Sequence, residues 1–65
     1  MKQILVGRVS DTMWEISSKI TTLEIKAIQD KVQFGKVDEA DVIEHDKLEK
    51  AYAILTDTLE KLLKL

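Results

Sequence analysis

The stretch SDTMWEISSKITTLEIKAIQDKVQF, residues 10–34, decides the fold, because its apolar side chains fall on two separate stripes of one helix. The first stripe repeats at alternating steps of four and three residues, which is the spacing of one face of an α-helix, and we call it the inner seam. The inner seam consists of Val9, Met13, Ile16, Ile20, Leu23 and Ala27. This pattern predicts an amphipathic helix that buries one face against a neighbouring helix.

A second set of apolar side chains lies roughly 140° round the same helix, and we call it the outer stripe. It consists of Trp14, Ile25, Ile28 and Val32, joined by Thr21. One neighbouring helix cannot cover both stripes, and an apolar strip left in water usually marks an interface. We therefore expect Trp14, Ile25, Ile28 and Val32 to form a dimer interface with a second copy of the chain.

A turn over residues 35–38 separates this helix from a second one. Gly35 suits the left-handed position that ends a helix, and Asp38 is an N-cap followed by the first-turn carboxylate of Glu39. These signals predict helices over residues 11–34 and 39–64. A connection this short makes the two helices antiparallel. A break in the second helix near His45 is the alternative, since Asp46 and Glu49 also have cap spacing.

The two helices together predict a hairpin core. The second helix has its own apolar repeat at steps of four and three residues, in the manner of a coiled coil. The predicted core consists of Met13, Ile16, Ile20, Leu23, Ala27, Leu48, Tyr52, Leu55, Leu59 and Leu62. The fold class is therefore all-α, an antiparallel two-helix hairpin that dimerises into a four-helix bundle.

Residues 1–9 are expected to form an extended or frayed arm. Ile4, Leu5 and Val6 favour an extended segment before Gly7, and residues 10–12 (Ser, Asp, Thr) offer three consecutive N-cap candidates. A helical conformation is the alternative, because Leu5 and Val9 continue the inner seam backward. Only Gly7 opposes it locally, at a cost of about 1 kcal/mol relative to Ala.

Length and composition indicate one folded domain that associates with itself. The chain has 65 residues and 7.4 kDa, with 45% hydrophobic and 34% charged residues. A chain of this size buries only about 60% of its unfolded surface, so it is marginal alone. It has no Cys and a single His, which excludes disulfides and disfavours a structural metal. Self-association is the remaining source of stability.

The charge pattern disfavours a general nucleic-acid binder, and the short apolar runs disfavour a membrane protein. Net charge is −2, and the two halves differ in sign. Residues 1–36 carry six cations and four anions, or +2, whereas residues 37–65 carry four cations and eight anions, or −4. No apolar run reaches the length of about 18 residues that spans a bilayer, and residues 1–9 do not resemble a signal peptide. We expect an intracellular protein.

No constellation of residues predicts chemistry, so we expect no catalytic residues, no cofactor and no metal. His45 shares a helical face with Asp41 and Glu49, but those carboxylates are eight residues, or about 12 Å, apart along the helix. Three side chains so placed cannot share one ion. Ser17, Ser18 and the neighbouring threonines have no base beside them, and so form no activated nucleophile.

The hairpin, with the acidic second-helix start VDEADVIE at residues 37–44, resembles the Rop-like helical-hairpin dimers. It is also similar to a small four-helix-bundle adaptor of a spindle-shaped archaeal virus. These resemblances imply a homodimeric, non-enzymatic adaptor or regulatory module with a protein partner, encoded by a virus or mobile element and working in the host cytoplasm.

The alternative function that the resemblance implies is a Rop-like regulator that binds nucleic acid through the polar and basic face of its first helix. Arg8, Lys19 and Lys26 would supply the cations. The Rop family has a central Phe on that face, and this chain has no aromatic residue there.

Overall fold

The computed structural model, which describes residues 1–65, consists of two helices in contact and no strand. Helix α1 runs over Lys2–Phe34 and helix α2 over Glu39–Leu63. The predicted all-α hairpin is confirmed. The hairpin is a rod whose Cα atoms extend over 49 × 14 × 13 Å. Neither helix combines the length and apolar character needed to cross a bilayer.

The turn between the helices is closed by capping contacts at both sides. Gly35 adopts the left-handed conformation with φ 74°, and its N–H donates to the carbonyl of Lys31 at 3.0 Å. The ammonium of Lys31 donates in return to the carbonyl of Gly35 at 3.1 Å. On the other side, a carboxylate oxygen of Asp38 accepts from the N–H of Ala40 at 2.9 Å. These contacts satisfy backbone groups that a helix end leaves without an internal partner.

The expected extended arm over residues 1–9 is wrong, because α1 begins at Lys2. Val6 is half-buried, like Val9 of the inner seam, and extends the contact face toward the amino end of the helix, whereas Leu5 is 40% exposed. The ammonium of Lys2 reaches the carbonyl of Leu63 at 3.4 Å, so the first turn of α1 lies beside the last turn of α2. Burial along the seam offsets the helix-propensity cost of Gly7, which is about 1 kcal/mol.

Helix α2 is continuous through His45, so the alternative break does not occur. It ends at Leu63, where the N–H of the C-cap Lys64 donates to the carbonyl of Glu60 at 3.2 Å. Two ion pairs lie along its exposed side, Asp46–Lys50 at 3.1 Å and Asp57–Lys61 at 3.0 Å.

The contact face between the helices is only half-buried. Every residue of the inner seam and of the predicted core on α2 is intermediate in exposure, apart from Tyr52, which is 37% exposed. Not one of the 65 residues is buried. Two helices side by side cover one face of each other, so every core side chain retains an edge that the partner helix does not reach.

Candidate interaction surface

The hairpin exposes more surface than a folded monomer of its mass. Its accessible area is 5247 Å². The scaling for monomeric proteins gives about 4,200 Å² at 7.4 kDa, so the excess is roughly 1,000 Å². A standard protein interface removes about 800 Å² from each partner. The excess therefore matches the area that one further contact would cover.

The outer stripe is in water. Trp14 is 75% exposed, Ile25 52%, Ile28 65% and Val32 81%. Thr21 is also exposed, and its hydroxyl donates to the carbonyl of Ser17 at 3.1 Å. Isolated exposed apolar side chains are ordinary, whereas the outer stripe places four of them on one side of α1 over five turns.

A shallow groove runs between the helices on the side of the outer stripe. It joins three depressions of about 380, 210 and 300 Å³ in order from the turn. Glu24 lines both the first and the second, and Tyr52 lines both the second and the third. Ile28 flanks the groove near the turn and Trp14 flanks it near the other end. The groove therefore borders the outer stripe from Ile28 to Trp14, with polar side chains such as Glu24 in its lining.

His45 lies in this groove between two carboxylates from different helices. Its Nε2 atom is 3.2 Å from Glu49 on α2 and 3.6 Å from Glu24 on α1, and it makes no hydrogen bond with either. The second carboxylate is thus Glu24, which sequence spacing along one helix could not indicate. No group of three or more His, Asp or Glu side chains is placed to hold a metal ion.

The three cations of the expected nucleic-acid face have different surroundings. Lys26 pairs with Asp30 on its own helix at 3.2 Å and with Asp41 across the hairpin. Hydrogen bonds to Asp41 first, and then to Asp30, raise the pKa of Lys26 above its ordinary value of 10.5. Neither Arg8 nor Lys19 forms an ion pair within the hairpin. Of these three cations, the charge of Lys26 is therefore already balanced by carboxylates of the same chain.

The cross-helix pair of Lys26 and Asp41 is a feature that sequence reasoning missed. The signal that could have found it is the position of the turn, because antiparallel helices place residues that are equally far from the turn opposite each other. Lys26 lies eight residues before Phe34, the last residue of α1, and Asp41 lies seven residues after it, so the two are almost equally far from the end of α1.

Comparison of the chain with protein-family models, with curated proteins and with solved structures gives no significant match.

Proposed function

We propose that this chain is a non-enzymatic interaction module whose folded unit is a homodimer, in which a second copy covers the outer stripe and completes a four-helix bundle. The observation that carries the proposal is the absence of any buried residue in a hairpin that also exposes roughly 1,000 Å² more than its mass predicts. A second copy removes that excess without any other component.

The adaptor role follows from the symmetry of such a dimer. A twofold axis duplicates every surface that dimerisation leaves free, including the exposed Ile43 and Ile54 of α2, which are 57% and 66% exposed. A rod with two identical docking surfaces can hold two macromolecules at a fixed separation. This geometry supports a regulatory or adaptor function, for which no catalytic group is needed.

The paired state of Lys26 weighs against a nucleic-acid regulator. A phosphate that bound there would have to displace Asp41 and Asp30 from the ammonium. Binding of duplex RNA or DNA is strongest at low salt, because phosphate contacts release counterions. We expect unchanged migration of both duplexes at low salt, and a shift that weakens steeply with added salt would favour the Rop-like alternative.

Sedimentation equilibrium at micromolar concentration tests the dimer. We expect a species of twice 7.4 kDa for the natural chain and a shift toward monomer for Ile28→Glu, because the new carboxylate would be desolvated in the interface. Ile54→Glu is the matched control, since Ile54 is 66% exposed, against 65% for Ile28, and does not line the groove. A folded monomer at these concentrations would contradict the proposal.

A further inference from the structure

The outer stripe is self-complementary about one point, the level of Leu23 on α1. Trp14 and Val32 lie nine residues on either side of Leu23, and Thr21 and Ile25 lie two residues on either side. Ser18 and Ile28 lie five residues on either side. From Trp14 to Val32 these positions follow steps of four, three, four, three and four residues, which is the spacing of a coiled-coil core.

We infer that the dimer forms by antiparallel contact of the two α1 helices, about a twofold axis at the level of Leu23; this inference rests on the dimer proposed above. In an antiparallel pair, residues equally far from the axis lie opposite each other. Trp14 then meets the partner's Val32, and Ile28 meets the partner's Ser18. Ile25 meets the partner's Thr21, so that in both inner layers a large branched side chain faces a small one, as close packing requires.

The hydroxyl of Thr21 does not oppose this contact. It already donates to the carbonyl of Ser17 at 3.1 Å, so burying Thr21 leaves no donor without a partner. Its methyl group is then available to pack against the partner's Ile25. The stripe carries no charged residue at any of its core positions between Trp14 and Val32.

The next possible register is less favourable. Moving the axis by half a heptad, to a level between Lys19 and Ile20, would place Ile28 against the partner's Asp11 and Val32 against the partner's Gly7. The first contact would desolvate a carboxylate without a partner, and the second would leave a large part of Val32 uncovered. In that register Ile25 would still meet the partner's Trp14, so the carboxylate of Asp11 and the missing side chain of Gly7 are what favour the axis at Leu23.

Charge favours the two α1 helices at the centre of the assembly. Residues 37–65 carry −4, so contact between two α2 helices would bring the acidic halves together. The outer stripe lies roughly 140° from the inner seam, so each α2 packs on the far side of its own α1, and the four helices form an open bundle with the α1 pair at its centre. Glu24 borders the stripe near the axis, and its carboxylate lies 3.6 Å from His45 of its own hairpin, on the side that faces α2. An interface of about 800 Å² per chain is within the excess area of the hairpin.

Disulfide trapping tests the register, because the chain has no cysteine of its own. Equimolar Thr21→Cys and Ile25→Cys chains, distinguished by tags, are mixed, refolded together and oxidised. We expect the mixed disulfide to exceed each homodisulfide roughly tenfold, against a statistical factor of about two, because only the mixed pair has Cα atoms close enough to bridge. In the shifted register, Thr21 would instead lie opposite the partner's Ser18. A matched mixture of Thr21→Cys and Ser18→Cys chains is therefore the control, and we expect no enrichment of its mixed disulfide.

The outcomes separate this inference from the dimer proposal. Enrichment in the Ser18 mixture instead, or no enrichment in either mixture while sedimentation shows a dimer, overturns the register and leaves the dimer intact. A natural chain that sediments as a monomer overturns both. The fluorescence of Trp14 tests the interface without any substitution. If the outer stripe is the interface, the emission of Trp14 shifts to the blue when the dimer forms and returns on dilution. An unchanged emission in a dimer would place the contact elsewhere.

Discussion

Lys26 is the side chain that connects the two helices most directly through charge. Its ammonium lies between Asp30 on α1 and Asp41 on α2, and the contacts with these carboxylates raise its pKa above 10.5. The side chain is half exposed, so solvent screens the interaction and its contribution to stability is small. The pair joins the two helices near the turn, since Asp41 lies in the first turn of α2.

A pH titration at the alkaline end measures this contact. Because the folded-state pKa is raised, the contribution of Lys26 is complete below pH 10.5 and is lost as pH rises through the higher folded-state value. We expect the free energy of unfolding to fall in that range for the natural chain, and Lys26→Met to remove this part of the decline. Denaturant unfolding between pH 8 and pH 11 provides the measurement. Lys50→Met is the control, since Lys50 pairs only with Asp46 on its own helix; identical profiles for both variants would contradict the assignment.

At the scale of the elements, the turn is determined locally and the start of α1 is not. Gly35 and Asp38 specify the end of α1 and the start of α2 through contacts with residues at most four positions away. The conformation of residues 1–9 depends on contact with α2, as in the hydrogen bond between Lys2 and Leu63, 61 positions apart. Local cap signals pointed elsewhere, but the hydroxyl of Thr12 donates to the carbonyl of Arg8 inside the helix instead.

The candidate interaction surface also has one part that follows from local sequence and one part that depends on contact between the helices. The outer stripe follows from periodicity within one helix, so the sequence is sufficient to find Trp14, Ile28 and Val32. The groove and the contact of His45 with Glu24 need the register between two helices, which periodicity alone leaves undefined. Sequence reasoning reached the surface of one element and missed the sites that two elements share.

The two glycines predict opposite effects of the same substitution. At both Gly7 and Gly35, a new Cβ would meet no side chain and no backbone of another segment within 4 Å. New packing contacts therefore contribute to neither effect. Gly7→Ala should raise the free energy of unfolding by about 0.5–1 kcal/mol, because alanine is the better residue inside a helix. Gly35→Ala should lower it by roughly 1–2 kcal/mol, because φ is 74° there. Denaturant unfolding at one fixed chain concentration checks both; effects of the same sign would contradict the helical placement of Gly7.

For the whole molecule, the decisive property is that the lone hairpin has no buried residue. A hairpin with no buried residue has little apolar burial to offset the conformational entropy lost on folding. In the proposed dimer, contact between the two chains adds to the apolar burial within each hairpin. The apparent stability of the proposed dimer would then depend on chain concentration, whereas the stability of a monomeric domain does not.

Thermal unfolding followed by circular dichroism measures that dependence. We expect the midpoint temperature to rise by roughly 5 °C for each tenfold increase in chain concentration, as coupled unfolding and dissociation of a dimer of this size require. Ile28→Glu should lose most of the dependence, whereas Ile54→Glu should retain it. A midpoint that is constant across two decades of concentration would mean that the lone hairpin is the stable unit.

The pairing of Lys2 with Leu63 has a consequence for anything attached to this rod. Both termini leave the hairpin at the pole opposite Gly35, so a fused cargo emerges from the same end whichever terminus carries it. In the proposed antiparallel dimer, Lys2 of each chain lies 21 residues, or about 32 Å, from the axis at Leu23, so the two exits lie at opposite poles roughly 63 Å apart. Two proteins fused to the termini would then be held apart at that fixed distance. Fluorescence energy transfer between dyes at the termini measures the separation.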